Sequence, residues 1–226
     1  MFLGAVTRPR FTNDGACVFD EKIGLWPIVK RVPAIRNSRN RVAGTIETKS
    51  INIDADVYLD FVLHKVVPAI NSKFPSTNKR VVLQHDNATP HSSVTTSSLE
   101  CVSTDGWMFI VKCQPAQSPD LNVLDLGFFA SIQSLQYKVV SYTVDDVIHA
   151  TLLAFQVLCA VKLSYVFLTL QAVMRLILEH NGDNHFKLPH LQKDALRRDG
   201  LLHANLLCPF SLLEQADSML QQHASP

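Results

Sequence analysis

The chain has 226 residues, 47% of them apolar, which is enough for one domain with a sizeable core, or one domain with an appendage. Its 21 basic and 20 acidic residues leave a formal net charge of +1. That balance excludes whole-molecule attraction to nucleic acid and confines any DNA-binding surface to a local patch. The five cysteines, Cys17, Cys101, Cys113, Cys159 and Cys208, are odd in number and show no metal-ligand spacing. They read as reduced, mostly core residues of an intracellular protein rather than a disulfide framework.

In chain order, Phe2–Val6 reads as a buried strand that begins without a run-in, and the start is too short for a secretory signal. Residues 12–50 carry Gly15, Gly24, Pro27, Pro33 and Gly44 and read as an irregular insertion with short strands. Within it lies a basic cluster of Lys30, Arg31, Arg36, Arg39 and Arg41, either a solvated loop or a phosphate contact surface. Asp54–Phe74 predicts a helix ending at or near Pro68, because proline breaks the hydrogen-bond ladder. Arg80–His85 is a β-branched run that predicts a buried strand, and Asn87–Pro90 ends it. Ser92–Val102 is a weaker helix, and Trp107–Val111 a second buried strand; Trp26 and Trp107 read as core. Ser118-Pro119-Asp120 predicts a capped helix start running to about Tyr137. Two further helices are expected at Val144–Val161 and Ser164–His180, as core helices rather than a membrane span, because His149, Gln156, Lys162 and Gln171 interrupt the apolar stretch. Asn181–Asn184 closes the second helix, and the tail from His185 reads as loosely structured. Strands interleaved with helices point to the α/β class.

Two segments carry candidate chemistry. Gln84-His85-Asp86-Asn87-Ala88-Thr89-Pro90-His91 puts an acid at the carboxyl end of a buried strand, where α/β folds collect ligands. Gln114 to Asp125 starts a helix just after the next strand. There Leu121, Leu124, Phe128, Ile132 and Leu135 form an apolar stripe, with Asp125 beside it. Asp120 is explained by the helix dipole, whereas a carboxylate against a core face is costly unless paired or bound to a cation. Asp86 and Asp125 are 39 positions apart, enough chain to bring both to one end of a sheet. With a third acid, such carboxylates hold two divalent cations about 3.5–4 Å apart, and hard oxygen ligands suit Mg²⁺ or Mn²⁺. The alternative is a solvated Asp86 and an Asp125 paired within its helix. His91 reads as orienting Asp86 or a phosphate, or as making a local hydrogen bond; Asn87 reads as fixing the loop or approaching the metal. Arg8 and Arg10 read equally as DNA contacts or solvated strand-end residues.

These segments resemble the signature of mariner-like transposases: Asp86-Asn87-Ala88-Thr89-Pro90-His91 for the second catalytic acid, and Gln114-Pro115 to Asp125 for the third. An aspartate at the third position, with Leu124 to Phe129 and Ile132 to Gln136, resembles the plant and oomycete branch. Phe2 to Phe11, Phe19 to Pro27, Asn40 to Glu47, Phe167 to Gln171 and Leu188-Pro189-His190 also fit, so the resemblance touches most of residues 1–195. It implies a ribonuclease H-like mixed sheet flanked by helices, with two Mg²⁺ or Mn²⁺ ions supporting DNA strand cleavage and transfer. Asp86 and Asp125 would be catalytic and metal-binding, with Asn87 and His91 supporting. Arg8, Arg10, Arg31, Arg36, Arg39 and Arg41 would contact DNA. Implied partners are DNA, at transposon ends, and a second copy or an intact transposase, with no membrane; the implied location is the nucleus.

Departures temper the expected activity. The first catalytic acid and the helix-turn-helix module of the family lie upstream of the segment at Met1, so the sheet is expected to lack its first strand. Glu21 stands where the family usually has glycine, and Ala116 and Gln117 where proline and asparagine are usual. Val157–Val161 is apolar where the family is more polar. The expected layout is a truncated catalytic core over 1–137 with the basic insertion at about 12–50, a helical part over 138–195, and a loose tail over 196–226. Three functions stay open: an impaired transposase-derived nuclease, a non-catalytic remnant binding DNA or an intact transposase, and a nuclease recruiting Asp20 or Glu21 as a replacement acid.

Overall fold

The computed structural model describes residues 1–12, 14–39, 41–188 and 190–224. Asn40 and Pro189, from two segments quoted above, lie outside the described residues. The fold is mixed α/β with small sheets. Its strands are β1 (Phe2–Val6), β2 (Arg10–Phe11), β3 (Cys17–Phe19), β4 (Lys22–Pro27), β5 (Val29–Pro33), β6 (Ile46–Ser50), β7 (Arg80–His85) and β8 (Met108–Cys113). They pair two by two: β1 with β4, β2 with β3 and β5 with β6 antiparallel, and β7 with β8 parallel. No single sheet runs through the described residues. The segment read as an irregular insertion with short strands does contain short strands, which make up about half of it. Within it, β4 is a core strand with Ile23, Gly24 and Leu25 buried, and β5–β6 is a regular hairpin.

β1 and β4 sit between two apolar clusters, which explains why β1 is apolar at nearly every position. Leu3 and Ala5 pack with Ile23, Tyr58, Val62, Val66, Leu99 and Phe109. Phe2 and Val6 pack with Leu25, Phe128, Ile132, Phe155 and Leu163. The register slips where Val6 faces Lys22 and Ala5 faces Gly24, leaving Ile23 as the extra residue of a bulge.

Helix α1 (Ala55–Phe61) is capped by the Asp54 carboxylate, which accepts from the Val57 amide at 2.9 Å. Contrary to the sequence expectation, the helix does not stop at Pro68. A π turn over Val62–Val66 leads into α2 (Val67–Lys73), with Pro68 in the first turn of α2. The wider turn, closed by the Val67 amide on the Val62 carbonyl, lets the chain pass a residue that has no amide to donate. The weak helix around Ser92–Val102 resolves into two 3₁₀ turns, Thr89–Ser93 and Ser97–Val102.

The expected capped start at Ser118 is also absent. Ser118 makes no side-chain cap; its hydroxyl donates to the Pro115 carbonyl, and a 3₁₀ turn over Pro119–Leu121 follows. The helix proper begins with a π turn over Leu124–Phe128 and continues as α3 (Phe129–Gln136). The apolar stripe holds nonetheless: Phe128 and Ile132 are buried, with Leu124 and Leu135 packed beside them.

Helices α4 (Val144–Val157) and α5 (Ala160–Glu179) lie near the expected ranges. Thr143 and Asp146 form a reciprocal capping box at the start of α4. Among the described residues, α5 is the one helix long and apolar enough to cross a membrane by length and composition, with mean hydropathy 1.5. Leu163, Tyr165, Leu168, Ala172 and Val173 of it are buried.

The tail is more ordered than its composition implied. It forms α6 (Lys193–Arg198) and α7 (Phe210–Ala224). Lys193 Nζ donates to the Tyr165 carbonyl at 2.8 Å, and Arg175 Nη1 to the Leu207 carbonyl at 3.2 Å, tying the tail to α5. All five cysteines are free and exposed, not core, because they sit at strand ends, turns and loops.

Candidate functional site

Strand β7 delivers Asp86 directly after its last residue, and neighbouring groups fix the carboxylate. Asp86 Oδ1 accepts from the Ala88 amide at 3.0 Å, which turns the chain away from the strand. His91, in the 3₁₀ turn that follows, places Nδ1 2.5 Å from the same oxygen, without the alignment of a hydrogen bond. The His91 ring stacks on Tyr58 from α1, centroids 4.0 Å apart, and lies 5.5 Å from the ring of His85. Cys113, at the end of β8, places Sγ 3.5 Å from His85 Nε2.

Two braces join this strand end to the segment bearing Asp125. Asn87 Nδ2 donates to the Gln114 carbonyl at 2.7 Å, and Gln84 Nε2 to the Leu121 carbonyl at 2.7 Å. Asn122 then shapes the next turn: its Oδ1 accepts from the Leu124 amide at 3.0 Å, and its Nδ2 donates to Asp125 Oδ2 at 2.8 Å. Gly127 lets this turn approach α5, since a Cβ there would lie 3.0 Å from Val166 Cγ2.

The electrostatics report the closeness of the two acids. Partial burial raises the Asp125 pKa, the negative charge of Asp86 raises it further, and the Asn122 hydrogen bond opposes both. Burial, together with the Asp86 charge, pushes the Tyr58 phenol up to about 12. The His85 pKa is lowered by burial and by His91, against the pull of Asp86. Asp125 is more open than the sequence implied. Its residue is exposed rather than pressed on the core, and Asn122 already partners it.

Two carboxylates that repel each other have the oxygen donors that suit Mg²⁺ or Mn²⁺, but too few ligands for a tight site. Among the described residues, no group of three or more His, Cys, Asp or Glu side chains is placed to hold a metal ion. Neither Asp20 nor Glu21 joins them in such a group. Glu21 is fully buried with both carboxylate oxygens unpartnered, and the charges it feels are those of Asp20 and Lys22.

The basic residues divide into two groups. Arg8 is spent on the tail, donating to the Ala204 carbonyl and the Asn205 side chain. Arg10 donates to the Pro75 carbonyl at 2.6 Å and lies over the Phe74 ring. Arg31 on β5, and Arg36, Arg39 and Arg41 in the turn of the β5–β6 hairpin, are exposed, with Arg41 paired to Glu47. The residues that sequence reasoning missed are Tyr58, His85, Cys113, Gln84, Gln114 and Asn122. All but Tyr58 lie in or beside the two motifs, where a local signal existed; Tyr58 comes from a distant helix whose periodicity marks it only as core.

No family model matches the chain, and no curated protein or solved structure is significantly similar to it.

Proposed function

We propose that the chain is a transposase-derived catalytic domain of the mariner-like type, with a ribonuclease H-like ancestry, acting on DNA with impaired cleavage. The observation that carries this reading is the pairing of Asp86, at the carboxyl end of β7, with Asp125, whose pKa Asp86 raises across a braced gap. Asp86 and Asp125 would hold the divalent ion, with Asn87 and His91 fixing the strand end. Bound there, Mg²⁺ or Mn²⁺ would supply activation of water and charge stabilisation for phosphodiester attack. Two carboxylates hold such ions less well than three, hence the expectation of weak activity.

The backbone supplies independent support. Glu21 and Gln117 adopt φ of 65° and 54°, a region where L side chains are strained. Glycine and asparagine, which the resembled family usually carries at these positions, tolerate that conformation best.

The test is Mn²⁺ titration of the chain by calorimetry, alongside cleavage of supercoiled plasmid. Weak Mn²⁺ binding is expected, lost in Asp86→Asn and in Asp125→Asn, with little nicking. Binding should weaken as pH falls through the raised Asp125 pKa, because the protonated acid is no longer a ligand. Binding that survives both substitutions would remove the metal site. Robust nicking abolished by Asp86→Ala would show an active nuclease instead.

A second reading, a non-catalytic remnant that binds DNA or an intact transposase, is favoured by the exposed basic hairpin. DNA binding unchanged in the Asp86→Ala, Asp125→Ala double variant, without any metal dependence, selects it.

A further inference from the structure

A cavity of about 490 Å³ lies where the link between β1 and β2 meets α5, α6 and the segment that follows α6. Small-molecule pockets measure roughly 300–1,000 Å³. Hydrogen bonds hold its wall in place. Arg8 donates to the Ala204 carbonyl and the Asn205 side chain. Gln171 of α5 accepts from the Leu206 amide at 3.0 Å and donates to Asn205 Oδ1 at 3.1 Å. Neither Asp86 nor Asp125 lines this cavity.

Its charged lining is all of one sign. Arg8, Arg197 and His203 line it, and no Asp or Glu does. A guanidinium carries several N–H groups, so the bonds to the tail leave Arg8 with donors to spare. Burial lowers the Arg8 pKa, and no carboxylate acts against that. Arg197 makes no side-chain hydrogen bond or ion pair among the described residues. Lys162 and Lys193 stand outside the lining, 5.5 and 5.9 Å from the Tyr165 ring centre, with Lys162 paired to Asp194.

Tyr165 gives the independent sign of a missing partner. It lines the cavity from α5, it is 7% exposed, and its hydroxyl is buried without a hydrogen-bond partner. A buried hydroxyl is costly to leave unpaired, and an acceptor in the cavity would satisfy it. Phe11, Leu168 and Leu202 add apolar wall beside these polar groups.

We infer that this cavity binds a small phosphomonoester carried on an apolar, ring-sized body. The donors come from separate elements: the β1–β2 link, α5, α6 and the segment after it. A phosphoryl group accepts in several directions at once, whereas a carboxylate accepts in one plane. An uncharged ligand would leave Arg8 uncompensated, and inorganic phosphate would leave the apolar wall unfilled. This inference does not rest on the transposase reading and holds whether or not Asp86 and Asp125 bind a cation.

The probe is 1-naphthyl phosphate, added to the full chain and followed by calorimetry. Saturable binding is expected, about tenfold or more tighter than that of inorganic phosphate, with none for 1-naphthol. Arg197→Ala, at an exposed position of α6, should weaken binding about tenfold through loss of a charge-assisted bond. Tyr165→Phe should weaken it about fivefold while thermal stability stays equal or rises, because the partnerless hydroxyl is gone. A hydroxyl that merely packs would leave the affinity alone. Unchanged affinity in either variant overturns the proposal, as does equal binding of inorganic phosphate, or no binding of the probe up to its solubility limit. Displacement by a 5′-phosphorylated DNA oligonucleotide that binds more tightly than the probe would assign the cavity to DNA and overturn it as well. Asp86→Asn should leave probe binding unchanged, so this proposal and the metal reading fail separately.

Discussion

Glu21 combines two unfavourable features in one residue. Its φ of 65° is left-handed, and its fully buried carboxyl has no hydrogen-bond partner. Burial first, then the charge of Asp20, pushes its pKa from 4.5 up to about 8. The folded chain therefore keeps this proton to about pH 8, whereas the unfolded chain releases it near its ordinary 4.5. Between those values the unfolded state binds fewer protons, so stability should fall as pH rises from about 4.5 through about 8. Urea titrations across that range should show the slope in the natural chain and its loss in Glu21→Gln. Glu21→Gly relieves both strains and should raise stability near neutral pH by on the order of 1–3 kcal/mol, read from the same titrations. At this scale the sequence was legible where the residues it singled out are close along the chain. Asp86, Asn87 and His91 are near neighbours, and the structure keeps them at one strand end. Asp125 was misjudged as pressed on the core because a helical stripe fixes direction but not depth. The π turn and the Asn122 contact leave it open instead.

Elements were legible where one physical rule dominated. β7, β8, α4 and α5 are long apolar or periodic runs, and their approximate ranges follow from that alone. Pro68 and Ser118 misled for a shared reason: each carries a strong local preference, and each is accommodated by a nearby turn of unusual pitch or hydrogen bonding. The 12–50 region was illegible because its glycines and prolines mark turns without revealing that β4 enters the core. Two predictions belong here. Thr143→Ala removes one half of the capping box on α4 and should destabilise the fold by about 1 kcal/mol, measured by thermal or urea unfolding. The β5–β6 hairpin should dominate non-specific DNA affinity. Replacing Arg31, Arg36 and Arg39 by alanine should flatten the dependence of log K on log salt by about 2–3, from roughly 0.9 per lost phosphate contact. An unchanged slope would leave the hairpin a solvated arm.

For the whole molecule, the α/β class was readable from the interleaving of strands and helices, but the division into strand pairs was not, since pairing partners leave no local mark. The two apolar clusters are the larger consequence. One gathers α1, its π turn, α2, β7 and β8; the other gathers α3, α4 and α5; β1 and β4 contribute to both. Trp26 and Trp107 both pack against the first cluster. The two longest core helices, α4 and α5, belong with the second. Indole emission is thus a one-sided witness, and far-UV ellipticity speaks chiefly for the opposite half. In a urea ramp the two signals should report different midpoints, and an indole placed at Phe155 should follow the ellipticity rather than the native tryptophans. Coincident midpoints would mean that the shared strands lock both halves into a single cooperative block.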